Sequence, residues 1–303
     1  MIRCYSLSDS YHENYYRVSI KKAPPPPNKP DAPWGLSSSF FHEHLREGDI
    51  LDVKAPSGQF YLNEMVERPV VLIGGGVGLT PMVSMLNHLI QTSSKREIWF
   101  FYGVRNSSEH AMKSHLQKAA EKHDNIHLQV VYQDVSEQDV RGQDYHHQGF
   151  ICTDLFKQLL PSNNYEFYLC GPPPMMTALT TQLSEWGVPD ADVYMEAFGP
   201  ASVKKKKSPI ETESLNAPVK ASVTFAKSGK TLEWSNEYDS LLEMAEENDI
   251  ELESGCRAGN CGTCLLAIRE GEVELQSDHD AAPEAGSCLA CISTPKGNLV
   301  LDA

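Results

Sequence analysis

Three cysteines carry the plainest chemistry in this 303-residue chain. Cys256-Arg-Ala-Gly-Asn-Cys261-Gly-Thr-Cys264 has the spacing C-x4-C-x2-C, which with a distant fourth cysteine holds a [2Fe–2S] cluster on thiolates. A small anionic cluster needs a tightly curled loop. Gly255, Gly259 and Gly262 permit that curl and let backbone N–H groups face the sulfurs. Two cysteines compete for the fourth position, Cys288 and Cys291. A zinc knuckle is the rival chemistry, since zinc sites pair two C-x2-C elements or recruit histidine; the C-x4-C-x2-C run favours the cluster. Five of the eight cysteines fall between 256 and 291, in a chain that opens without an export signal. Such clustering favours a metal or cluster over disulfides.

A second constellation is Gly74-Gly-Gly-Val-Gly-Leu-Thr-Pro81, a glycine-rich turn between an apolar run and an amphipathic one. Glycines let backbone approach a pyrophosphate, and the following helix offers its N–H groups and partial positive charge. Taken alone, such a turn serves packing as readily as binding. Cys170, taken alone, is a small buried hydrophobe. His42 and His44 stand two apart, so on a helix they point different ways and make no metal site.

The elements that must position these residues follow from periodicity. Strands are expected at Tyr15–Lys21 and Ile50–Lys54, split by a Pro-rich surface loop from Ala23 to Pro33. From Arg68 the pattern becomes strand Pro69–Ile73, helix Pro81–Ile90, strand Glu97–Tyr102, helix Ser107–Lys122 and strand His127–Tyr132. Helix Asp154–Leu160, strand Tyr165–Leu169 and helix Pro174–Trp186 complete an alternation that predicts a doubly wound parallel sheet. Apolar periodicity stops over 201–218, where Lys204–Lys207 is a run of like charge; a solvated linker is expected, with docking by the lysines as the minority reading. Strands resume at Ala221–Phe225 and Lys230–Trp234, followed by a helix over Tyr238–Glu247.

Composition narrows the partners. The formal net charge is -15, and residues 219–303 hold 16 Asp and Glu against 6 Lys and Arg. Nucleic acid and anionic membrane surfaces are therefore poor partners, and a basic protein a good one. No apolar run reaches 18 residues, so no membrane insertion is expected and the simplest location is the cytoplasm.

The motifs taken together resemble a known family. Arg68-Pro-Val-Val-Leu-Ile-Gly-Gly-Gly-Val-Gly-Leu-Thr-Pro is similar to the NAD(P)-binding opening of the ferredoxin–NADP⁺ reductase superfamily, its flavohaemoglobin reductases especially. Tyr102-Gly-Val-Arg105-Asn, Cys170-Gly-Pro-Pro-Pro-Met175 and Glu196-Ala-Phe-Gly-Pro200 follow in the family's order. Arg3-Cys-Tyr5-Ser6 resembles its R-x-Y-S flavin motif, and Gly35-Leu-Ser-Ser38 its G-x-x-S. Residues 219–303 resemble the β-grasp ferredoxin domain of phthalate dioxygenase reductase-like enzymes and of the hybrid-cluster protein reductase. Gly286-Ser-Cys-Leu-Ala-Cys291-Ile-Ser-Thr-Pro295 follows the pattern G-x-x-L-x-C-x-x-x-P. That register makes Cys291 the fourth ligand in preference to Cys288.

The resemblance implies Arg3 on the flavin phosphate, Tyr5 on the isoalloxazine ring, Ser6 at flavin N5, Gly35 and Ser38 at phosphate, and Phe198 near the flavin. It implies Gly75, Gly76, Gly78, Thr80, Pro81 and Arg105 along the dinucleotide, with Cys170, Gly171, Pro172 and Met175 at the nicotinamide side. Ser6 and Cys170 are the expected catalytic pair, and Cys256, Cys261, Cys264 and Cys291 the cluster ligands. Expected architecture is a partial antiparallel β-barrel flavin domain (1–66), an α/β parallel-sheet NAD(P) domain (67–200), a linker (201–218) and an α+β β-grasp ferredoxin domain (219–303). Relatives carry several tens of residues before R-x-Y-S, so the barrel is expected to be N-terminally truncated, the chain being a fragment or its barrel completed by a partner.

The implied activity is that of an NAD(P)H:acceptor oxidoreductase. It passes electrons from NADH, in preference to NADPH, through FAD, in preference to FMN, to a [2Fe–2S] cluster. A redox protein then receives them, either an oxygenase component or a hybrid-cluster protein. The alternative is a ferredoxin-type carrier without NAD(P)H turnover. A nitric-oxide-detoxifying reductase half is disfavoured, since flavohaemoglobins end without a ferredoxin domain.

Overall fold

The computed structural model describes residues 3–25, 29–196, 198, 221–235, 237–257, 259, 261–275 and 283–303. The expected linker over 201–218, with Lys204–Lys207, lies outside the described residues. The chain divides into two compact units. One gathers Tyr5–Lys54 and Phe60–Phe198; the other gathers Ala55–Gln59 and the chain from 221 onward, together with Arg3 and Cys4.

In the first unit helix α1 (Leu36–Glu43) precedes the sheet. The strands expected at Tyr15–Lys21 and Ile50–Lys54 do not form. Val18 makes only an isolated bridge to Leu7, and Ile50 and Val53 are 94% and 77% exposed. Strand propensity is realised only against a pairing edge, and among the described residues these stretches meet none beyond that bridge. The antiparallel barrel expected over 1–66 is accordingly not laddered among the described residues.

The rest of this unit follows its periodicity closely. Strands β1 (Val70–Gly75), β2 (Ile98–Val104), β3 (Ile126–Tyr132), β4 (His147–Gln148), β5 (Glu166–Cys170) and β6 (Val193–Glu196) form one parallel sheet in the order β4-β3-β2-β1-β5-β6. β1 and β5 are buried along their whole length, as apolar runs in a parallel sheet must be. Helices α2 (Leu79–Gln91), α3 (Lys113–Lys122), α4 (Thr153–Leu159) and α5 (Pro173–Glu185) make the crossovers. The helix expected from Ser107 starts late: Ser107–Glu109 is a 3-10 turn capped by the Asn106 side chain, and Met112 at φ 54 breaks it from α3. At the amino edge of the sheet, buried Arg96 donates to Glu166 at 2.5 Å and to the carbonyls of Arg68 and Asn63.

The second unit has a five-stranded mixed sheet. Its strands are β7 (Ser222–Phe225), β8 (Lys230–Glu233), β9 (Leu265–Glu270), β11 (Ser287–Leu289) and β13 (Leu299–Leu301), in the order β11-β9-β13-β7-β8, with β13 parallel to β7. β10 (Val273–Leu275) and β12 (Ser293–Pro295) pair separately. Helix α6 (Leu241–Glu247) opens on a side-chain cap: Ser240 accepts from Glu243 N, and Glu243 reaches back past the cap to accept from Asp239 N at 2.5 Å. It buries Leu241, Leu242, Met244 and Ala245 in a core shared with Phe225, Cys288 and Leu301. Among the described residues no helix is long and apolar enough to cross a membrane.

Candidate functional site

The first site sits at the carboxyl edge of the parallel sheet. β1 runs into a 3-10 turn, Gly76–Gly78, that opens α2. Gly76 takes φ +54, the left-handed region where glycine is at ease. A Cβ on Gly78 would meet the Cys170 carbonyl oxygen at 2.1 Å, and one on Gly75 would meet Met175 Sδ at 2.7 Å and Pro172 Cδ at 2.8 Å. A Cβ on Gly171 would strike Met175 Cε at 2.3 Å. Gly75 and Gly78 are thus brought against Cys170, Gly171, Pro172 and Met175 where β5 runs into α5, and Gly76 faces open space. Thr80 and Pro81 are buried in the first turn of α2, with Thr80 Oγ1 donating to the Val77 carbonyl at 3.1 Å. A glycine cradle beneath the free N–H groups of a helix suits an anionic dinucleotide. Arg105 leaves β2 at the same edge, exposed, its Nε 4.0 Å from Asp134.

Ser6 and Cys170 are linked through a third residue. Ser6 Oγ donates to Glu196 Oε2 at 2.8 Å, and the β5–β6 register sets Glu196 beside Cys170. Burial, with the Glu196 charge added, pushes the Cys170 thiol far above its ordinary range, so it stays protonated. Tyr5 is steadied by Ser37, hydroxyl to hydroxyl at 2.8 Å, and by Phe41 edge-on at 5.4 Å. Ser38 Oγ accepts from Ala23 N and donates to the Gly35 carbonyl, each at 3.0 Å, which ties residues 35–38 to the Pro-rich loop. His42 Nε2 lies 2.9 Å from the Ile20 carbonyl. Phe198 is 40% exposed. Arg3 is gathered with the second unit, Tyr5 and Ser6 with the first, so the R-x-Y-S motif is divided between them.

The second site is the cysteine loop. Cys256 and Cys261 face each other, each backbone N–H donating to the other's sulfur at 3.2 and 3.3 Å. Cys264 Sγ and Cys291 Sγ stand 3.2 Å apart. Two thiol pairs match a group whose two irons each take two cysteines. The loop curls through left-handed Arg257, Gly259 and Gly262 at φ 56, 81 and 68. Cys288 is fully buried on β11, opposite Leu266 of β9, and burial pushes its thiol up to about 12. Cys261 is held far below the ordinary thiol range by hydrogen bonding to the Cys256 and Cys4 side chains, with Thr263 adding to it. A lowered thiol is the form a metal needs.

Ser37, Thr263 and Cys4 carried no signal in the sequence, because their approach is through space. Glu196 did carry one, at the head of Glu196-Ala-Phe-Gly-Pro200.

Known proteins match both sites. Residues 72–181 match the oxidoreductase NAD-binding domain, and residues 223–296 the 2Fe-2S iron-sulfur cluster binding domain. A flavohemoprotein of Halalkalibacterium halodurans is 40% identical over 200 residues, covering 66% of this chain and 48% of that protein. The chain therefore spans about half the length of the curated relatives it matches. The flavohem-like FAD/NAD binding domain of nitric oxide dioxygenase from Vibrio cholerae is 34% identical, with TM-score 0.56 over 65% of this chain and 76% of that one. Phthalate dioxygenase reductase, described as a modular structure for electron transfer from pyridine nucleotides to [2Fe–2S], shares the fold at 23% identity. Its TM-score is 0.54 over 99% of this chain and 83% of that one. On these matches the chain belongs to the NAD-binding oxidoreductases, and it joins that domain to a C-terminal 2Fe-2S iron-sulfur cluster binding domain.

Proposed function

We propose that this chain is an NAD(P)H-dependent flavin and iron–sulfur reductase. Residues 1–66 serve the flavin, 67–200 the dinucleotide and 219–303 the cluster, and the electrons go to a protein acceptor. The observation that carries the reading is the Ser6 hydroxyl bonded to Glu196, which β5–β6 pairing sets next to the neutral Cys170, beside the glycine cradle of β1 and α2. When bound, flavin converts a two-electron hydride donor into single electrons that a [2Fe–2S] cluster can take.

This chain's residues supply position and polarity. Gly75, Gly76 and Gly78 admit the pyrophosphate, and Thr80 and Pro81 fix the helix start beneath it. Gly171, Pro172 and Met175 wall the nicotinamide side, and Cys170 offers an uncharged thiol there. Tyr5 presents an aromatic face, Ser6 a hydroxyl oriented by Glu196, Phe198 a second ring, Arg3 a cation, and residues 35–38 a polar loop. Cys256 and Cys261 hold one iron, Cys264 and Cys291 the other. The Asp134 carboxylate facing Arg105 favours the ribose hydroxyls of NADH over the extra phosphate of NADPH. The match to the flavohem-like FAD/NAD binding domain supports FAD over FMN.

The acceptor class is an oxygenase component or a hybrid-cluster protein, met in the cytoplasm. Anaerobic titration of the purified, reconstituted chain with NADH tests the proposal. Bleaching of a flavin band followed by bleaching of the cluster band is the expected course. Reduction by dithionite but not by NADH would make the chain a carrier module, and that reading draws on the single bridge found among the described residues before residue 67.

A further inference from the structure

The N-terminal arm reaches the cysteine loop. A Cβ built on Gly255 would meet Cys4 Sγ at 2.8 Å, Cys261 Sγ at 3.0 Å and Thr263 Oγ1 at 3.0 Å, so three polar atoms converge over one glycine hydrogen. Cys4 and Thr263 both hydrogen-bond the Cys261 sulfur, and Ser57 Oγ donates to the Cys261 carbonyl at 3.2 Å. A side chain at 255 would drive these atoms apart. The Cys256–Cys261 pair thus receives two side-chain donors in addition to its backbone N–H groups.

From this convergence we infer that Cys4 is a positioning residue that raises the reduction potential of the cluster by donating its S–H to the Cys261 sulfur, in concert with the Thr263 hydroxyl. The inference rests on the [2Fe–2S] reading of the four cysteines. Reduction adds one electron to a cluster whose sulfurs then carry more negative charge. A donor aimed at one of those sulfurs stabilises the reduced form more than the oxidised form. Cys4 is followed directly by Tyr5 and Ser6. The arm that carries the flavin motif therefore also supplies a donor to the cluster.

The test is a mediator-poised reductive titration of the full chain, read by the EPR signal of the reduced cluster, for wild type, Cys4→Ala, Cys4→Ser and Thr263→Val. Iron and labile sulfide are measured in each. The expected Cys4→Ala protein keeps its cluster but is harder to reduce. At the wild-type midpoint its reduced-to-oxidised ratio falls about threefold to tenfold, a shift of about 30–60 mV at about 59 mV per tenfold. Cys4→Ser, which keeps a donor of similar reach, recovers at least half of that shift, and Thr263→Val lowers the potential in the same direction. Equal midpoints in wild type and Cys4→Ala would overturn the inference while leaving the cluster reading intact. A wild-type chain that binds neither iron nor sulfide would overturn both. If Cys4→Ala loses its cluster, Cys4→Val, which fills the space without a donor, takes its place, and a midpoint there equal to wild type overturns the inference.

Discussion

Cys288 and Cys291 are three residues apart and have opposite surroundings. Cys291 Sγ stands 3.2 Å from Cys264 Sγ, whereas Cys288 is fully enclosed on β11 opposite Leu266. A ligand must reach the metal, and a thiol closed into the core does not. Cys291→Ala is expected to lose the cluster, with iron and labile sulfide falling at least about tenfold, because one iron is left a thiolate short. Cys288→Ala is expected to keep iron and sulfide at wild-type levels. It would lose about 1 kcal/mol of stability, the cost of a small cavity in the core. Metal analysis beside urea unfolding of the two variants separates these outcomes, and the reverse pattern would reassign the fourth ligand.

At the scale of elements, the loop between β2 and α3 is pinned by a partly buried histidine. His110 Nδ1 lies 2.7 Å from the Tyr132 hydroxyl, and its ring packs edge-on against Tyr102 and Tyr132. Burial first, and then the charge of Lys113 and the neighbouring His146, lowers its pKa to about 4 against the opposing pull of Asp144. Its folded pKa is thus below its unfolded value of 6.5. The unfolded chain binds the proton more readily, and the neutral ring's contribution is complete above pH 6.5 and lost as pH falls toward 4. Discounted for partial exposure, the expected loss between pH 7 and pH 5 is about 1 kcal/mol. Urea unfolding at both pH values should show that slope, and His110→Gln should flatten it.

What the sequence made legible at this scale divides by the kind of contact involved. β1 and β2 announce themselves because a parallel strand buried on both faces is apolar throughout, and β3 and β5 are apolar except at His127, Gln129 and Glu166. β4 and β6 are two and four residues long, too short to show a period. Tyr15–Lys21 and Ile50–Lys54 look like strands by composition, but strand pairing depends on a neighbouring edge that composition does not encode. The site follows the same division. Cysteine spacing and glycine turns are local and were readable, whereas Ser37 on Tyr5, Thr263 and Cys4 on Cys261 are meetings in space.

The whole molecule carries a net charge of -15, and ten of those negative charges belong to residues 219–303, which hold the cysteine loop. A protein acceptor with a basic face would be drawn toward that end, and one with an acidic face repelled. Screening shortens from about 10 Å at 0.1 M ionic strength to about 3 Å at 1 M, so salt should act in opposite directions on acceptors of opposite sign. With NADH as donor, reduction of a basic protein such as cytochrome c is expected to slow about tenfold or more between 0.05 M and 0.5 M salt. Reduction of ferricyanide, a small trianion, is expected to quicken over the same range. The opposed slopes distinguish charge-guided association from a general effect of salt on the reductase, which would move both rates together. Replacing Glu251 and Glu253, beside the cysteine loop, with glutamine should reduce both slopes. Slopes unchanged by those substitutions would mean that the charge acting on the acceptor lies elsewhere on the molecule.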